Sequence, residues 1–128
     1  MPAEEHVPTY VREHGPLETP LRLARLSEEI ASLKLEPAWQ RGERVARTLV
    51  KEGHLRAVLS LLPTGASLQE HQADGPVTVH CLQGRMRLQT PVAPAVTLSA
   101  GELVALDAGV RHSVEALDET AFLVTLAL

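Results

Sequence analysis

From Arg44 onward the chain alternates short apolar runs with Gly, Pro and Asp punctuation, a rhythm that predicts strands rather than helices. RVARTLVK (44–51) and LRAVLSLL (55–62) are β-branched and apolar, and Glu52-Gly53-His54 between them reads as a hairpin turn. Pro63-Thr64-Gly65 leads into SLQEH (67–71), whose alternation sets Leu68 on one face and His71 on the other. Asp74-Gly75-Pro76 turns the chain into VTVHCL (77–82), which stops at Gly84. RMRLQ (85–89) alternates, Pro91 to Pro94 turns the chain, and residues 95–98, 103–106, 112–117 and 121–128 complete about nine short strands. Strands of this length, spaced by turn residues, point to an all-β sandwich or barrel.

The first 43 residues follow another pattern. Residues 1–18 mix Pro2, Pro8, Gly15 and Pro16 with charges and show no period, which reads as an extended arm. His6 and His14 lie in that arm and are more simply solvated than paired on a metal. Beyond it, Leu23, Leu26, Ile30 and Leu33 recur at helical spacing, with Arg22, Arg25, Glu28, Glu29 and Ser32 on the other side. Thr19 can cap this helix and Pro20 suits its first position, although Ser27 followed by two glutamates is a competing, later start. Pro37 is expected to end it, and Trp39 to anchor the loop that follows. The expected division is an N-terminal arm and helix over 1–43, packed on a β domain over 44–128.

Composition narrows the chemistry. A chain of 128 residues fits one domain and can bury a core without disulfides. Apolar residues make up 45%, yet Trp39, Tyr10 and Phe122 are the only aromatics, so a pocket would be lined by aliphatic groups rather than stacking rings. The net charge of −4, without a basic run, argues against nucleic acid as a partner. No apolar stretch approaches the ~20 residues of a membrane helix, which argues against a membrane partner. A single cysteine, Cys81, rules out an intrachain disulfide, and the acidic N-terminus is unlike a signal peptide, so a cytoplasmic location is expected. Cys81 itself reads as a buried packing residue, because nothing cationic near it in sequence would activate the thiol.

Two stretches carry a family resemblance. In GASLQEHQADGPVTVHCLQG (65–84), Gly65, His71 and Gly84 fall on the spacing of the first cupin motif. Ala73 stands at that motif's second histidine and Val77 at its glutamate. GELVALDAGVRHSVEA (101–116) resembles the second cupin motif through Gly101, Gly109 and His112, with Asp107 in place of its usual proline and Ala116 in place of its asparagine. The motifs and their spacer cover about half the chain. The resemblance implies a double-stranded β-helix, or jelly roll, in which His71 and His112 converge inside the barrel.

Alternation adds Gln69 to the face of His71, and Arg111 beside His112 is a candidate for holding an anionic ligand at the mouth. Two imidazoles can contact a transition metal, but a tight site takes three or four protein ligands, and alanine and valine donate nothing. No cofactor is therefore firmly expected; the resemblance implies at most one divalent transition metal, weakly held by His71 and His112. The residues favour a binding role over catalysis, with a small polar or anionic molecule as the ligand. A metal-dependent cupin enzyme of dioxygenase or isomerase type, using the same two histidines, is the alternative. A third expectation is a homodimeric interaction module that buries an apolar outer face formed by Leu49, Leu59 and Leu61.

Overall fold

The computed structural model describes residues 21–128. Nine antiparallel strands form two facing sheets. In chain order they are β1 (Val45–Glu52), β2 (Leu55–Leu62), β3 (Ser67–His71), β4 (Val77–Gln83), β5 (Arg85–Thr90), β6 (Ala93–Ser99), β7 (Leu103–Leu106), β8 (His112–Ala116) and β9 (Thr120–Ala127). One sheet runs β1-β2-β9-β4-β7 and the other β3-β8-β5-β6. Every expected strand forms, most within a residue or two of its expected ends. Pro94 lies inside β6 rather than in the preceding turn. Because β6 is an edge strand, a residue with no N–H to donate is tolerated there.

Alternation puts Val77, Val79 and Cys81 of β4 and Val114 and Ala116 of β8 between the sheets. Met86, Leu88, Leu98 and Phe122 complete this core, each almost fully buried. Strands so closely spaced need turns with a positive φ, and Gly53, Gly65, Gly84, Gly101 and Gly109 supply them.

The helix starts later than Thr19-Pro20 would place it. α1 spans Leu26–Leu33, and residues 21–25 are not helical; Thr19 and Pro20 lie outside the described residues, as do His6 and His14. No side chain caps its start, but Glu28 and Glu29 in the first turn complement the positive end of the helix dipole. Leu23 is exposed, while Ile30 and Leu33 are buried on the sheet. Pro37, expected only as a stop, opens a second short helix, α2 (Pro37–Gln40), in the position where its lack of an N–H does no harm. Ile30 and Leu33 form a second buried cluster with Val45, Leu49, Leu59 and Leu61 of the sheet, and Trp39 packs, half-buried, beside it.

The outer leucines are the other correction. Leu49, Leu59 and Leu61, expected to form a dimer face, are at most 5% exposed because Ile30 and Leu33 of the same chain cover them. Arg47 holds the helical segment in place by pairing with Glu29 at 2.9 Å and Glu36 at 3.5 Å, and Lys34 pairs with Glu119 at 2.9 Å. The apolar stripe of α1 is thus satisfied within one chain.

Candidate functional site

β3 lies beside β8, and the pairing is irregular. Leu68 faces Val114 and His71 faces His112, so three steps along β3 match two along β8. This bulge overturns simple alternation: it turns both Leu68 and His71 toward the interior, where strict period-two would have separated them. On β8 the alternation is regular, and His112, Val114 and Ala116 all point inward and are buried. The two histidines, 41 positions apart in sequence (112 − 71), become cross-strand neighbours.

Their rings meet edge to face, with centroids 4.3 Å apart and planes at 62°. Nδ1 of His71 lies 2.9 Å from the carbonyl of Gln69, and Nδ1 of His112 lies 3.0 Å from that of Val110. A carbonyl oxygen only accepts, so each Nδ1 carries a proton, and the neutral form of either ring has its lone pair on Nε2. His112 is 4% exposed, whereas His71 is open to solvent. Burial pushes the pKa of His112 below the ordinary imidazole value; the carbonyl of Val110 opposes that shift and the neighbouring His71 adds to it.

The pair borders a cavity of about 590 Å³ between the sheets, of the size that small-molecule sites occupy. Val58, Leu62, Phe122, Val124 and Leu126 form its apolar wall. Ala73 and Val77 also line it, at the positions where the resemblance puts a histidine and a glutamate. The backbone of Ala73 is held by the N–H of Gly109 at 2.8 Å. β1 and β3 contribute residues along the cavity, each the edge strand of its own sheet.

Gln69 lines the cavity and anchors His71 through its carbonyl. Arg111 does not line it: its guanidinium pairs with Glu70 at 3.5 Å, so the expected role at the mouth is not the one its position offers. Sequence reasoning missed Arg44, Thr48, Ser60 and Gln72, which all line the cavity. Inward alternation along β1 and β2 was the available signal for Thr48 and Ser60. The reach of Arg44 from the start of β1 to the carbonyl of Ser67, 3.4 Å away, had no such signal.

As a metal site the donor set is short. Among the described residues no group of three or more His, Cys, Asp or Glu side chains is placed to hold an ion. Two imidazole nitrogens among aliphatic side chains do not fit a tightly held transition metal. Cys81 is buried and bonded to the carbonyls of Gln83 and Gly84, and burial raises its thiol above the usual cysteine range.

No protein-family model matches the sequence, and neither does any curated protein. Solved structures do resemble it. A conserved protein of unknown function from Streptococcus pyogenes aligns over 93% of this chain and 96% of its own, at 18% identity and a TM-score of 0.69. A cupin superfamily protein from Desulfitobacterium hafniense aligns over 88% and 94%, at 17% identity and a TM-score of 0.65. A variant of salicylate 1,2-dioxygenase from Pseudoaminobacter salicylatoxidans gives a TM-score of 0.71 at 13% identity, over 81% of this chain but 34% of the enzyme. The fold is therefore the cupin double-stranded β-helix. It is a small single-barrel version with an N-terminal helix laid on its outer face.

Proposed function

We propose that this chain is a binding protein that holds a small polar or anionic molecule inside the barrel, with His71 and His112 as the groups that orient it. The observation that carries this reading is the pair of imidazoles, each anchored through Nδ1, beside a cavity of about 590 Å³ with a largely apolar wall. Their Nε2 lone pairs accept hydrogen bonds from a ligand hydroxyl or N–H, while Val58, Val124 and Leu126 receive its apolar part. Aliphatic residues at 73 and 77 favour a cavity that binds over a centre that coordinates. The lone cysteine is compatible with a reducing compartment such as the cytoplasm.

A thermal-shift screen of small polyols and organic acids on the untagged protein, paired with elemental analysis after dialysis, tests the reading. Ligands that carry a hydroxyl or N–H donor for the histidine pair are expected to lose much of their effect in His112→Leu, with metal well below one equivalent throughout. Near-stoichiometric iron, nickel, manganese or zinc would overturn it. That result would favour a metal-dependent enzyme of dioxygenase or isomerase type instead. The feature on its side is the Nδ1-to-carbonyl anchoring, which metal-bound histidines share.

A further inference from the structure

The charge inside the cavity runs opposite to that of the molecule. The chain carries 16 Asp and Glu against 12 Lys and Arg. Yet the described residues that line the cavity include Arg44, Arg47, His71 and His112 and not one carboxylate. Arg47 is already engaged by Glu29 and Glu36. Arg44 is not: it is exposed, and its contact among the described residues is the long hydrogen bond to the carbonyl of Ser67 at 3.4 Å. A carboxylate offers the same guanidinium two shorter, charge-assisted bonds in a fork geometry that a single carbonyl cannot match.

Arg44 and the histidine pair also stand apart. Ser67, which Arg44 touches, opens β3, and His71 closes it. At the usual rise per strand residue these two points are on the order of 12 Å apart, with the bulge shortening the span. The wall between them includes Leu68, Val58 and Val124. From this arrangement we propose that the ligand is an elongated organic acid. Its carboxylate pairs with Arg44 at one end of the cavity, an apolar stretch follows, and a hydroxyl or N–H donor reaches the His71–His112 pair at the other end. Arg44 then sets specificity for the anionic end. This rests on the barrel-binding reading above and adds the ligand class and the residue that selects it.

Three probes of matched length separate the two ends: ω-hydroxyoctanoate, octanoate and 1,8-octanediol, titrated calorimetrically into the full chain. ω-Hydroxyoctanoate is expected to bind tightest, and more weakly as salt rises. Arg44→Gln should weaken both acids about tenfold, the scale of one hydrogen-bonded charge pair, and leave the diol unchanged. Arg44→Lys should recover part of the loss. His112→Leu should weaken ω-hydroxyoctanoate and the diol but not octanoate. Thermal melts of each variant confirm folding, which Arg44 should not disturb because it is exposed and precedes β1. Equal binding of diol and acid, or indifference of the acids to Arg44→Gln, would overturn the inference while leaving the barrel as a binding site. Binding of none of the probes to the wild-type protein would overturn it too. Binding of all three that is insensitive to His112→Leu would remove the barrel-binding reading as well.

Discussion

His71 and His112 touch, yet they sit in different electrostatic settings. His112 is shut inside the core and burial favours its neutral form, whereas His71 is open to water. The direction of the shift fixes the sign of a pH effect. Because the folded-state pKa of His112 lies below its unfolded value, the unfolded chain takes up this proton first as the pH drops. Stability is therefore full above about pH 6.5 and declines below it, until the folded-state pKa is passed. The onset of that decline lies above the ordinary carboxylate range, so it can be separated from the onset of general acid denaturation. Chemical denaturation of wild type and His112→Phe between about pH 8 and pH 5 checks it. The variant is expected to lose the decline beginning near pH 6.5, and an identical profile would show that another group titrates there. Charge at 4.3 Å gives a second reason for His112 to stay neutral whenever His71 is protonated.

At the scale of elements, the glycines that punctuate the strands are not equivalent. Gly84 has φ +80° and Gly101 has φ +92°, a region that L side chains avoid. A methyl group at Gly84 would collide with the backbone carbonyl of Glu119, while one at Gly101 would meet open space. Gly101→Ala should therefore cost about 1 kcal/mol, from backbone strain alone. Gly84→Ala should exceed that by about 1–3 kcal/mol, because β5 and the 118–119 turn must also move apart. Urea denaturation of the two variants gives the comparison, and equal losses would contradict the steric account. The same elements show how much the sequence discloses. Nine strands were legible because apolar alternation and Gly, Pro and Asp turns all agree over 44–128. The pairing of Arg87 with Glu115 at 3.7 Å follows from that alternation, because the two residues face each other across β5 and β8, whereas Arg85 reaches Asp118, beyond the end of β8, at 2.8 Å. The bulge in β3 was not legible. Gln69 and Glu70 are polar and exposed, so no hydrophobic signal marks where the extra residue is absorbed. Arg44 escaped notice for a related reason, since its place depends on how the edges of two sheets approach each other, which local pattern does not encode.

For the molecule as a whole, the question is whether the barrel retains the geometry of a metal centre while lacking its donors. Ala73 and Val77 both face the cavity that His71 and His112 border, and the Gly109 N–H fixes the backbone at Ala73. Restoring the donors at those positions would place three imidazoles and a carboxylate around one space, a set that suits a first-row transition metal. The double variant Ala73→His with Val77→Glu is therefore expected to keep close to one equivalent of nickel or zinc through dialysis, where the wild-type protein keeps far less. His112→Ala in that background should release it. Both positions line the cavity, which gives the new side chains room on its inward-facing wall. Failure of the folded double variant to retain metal would mean that the bulge at Gln69-Glu70 holds the His71 ring out of line with its partners. In that case the barrel differs from a metal centre in backbone as well as in side chains. Success would locate the difference in two residues, and the aliphatic pair at 73 and 77 would account for a cavity fitted to an organic ligand instead of an ion.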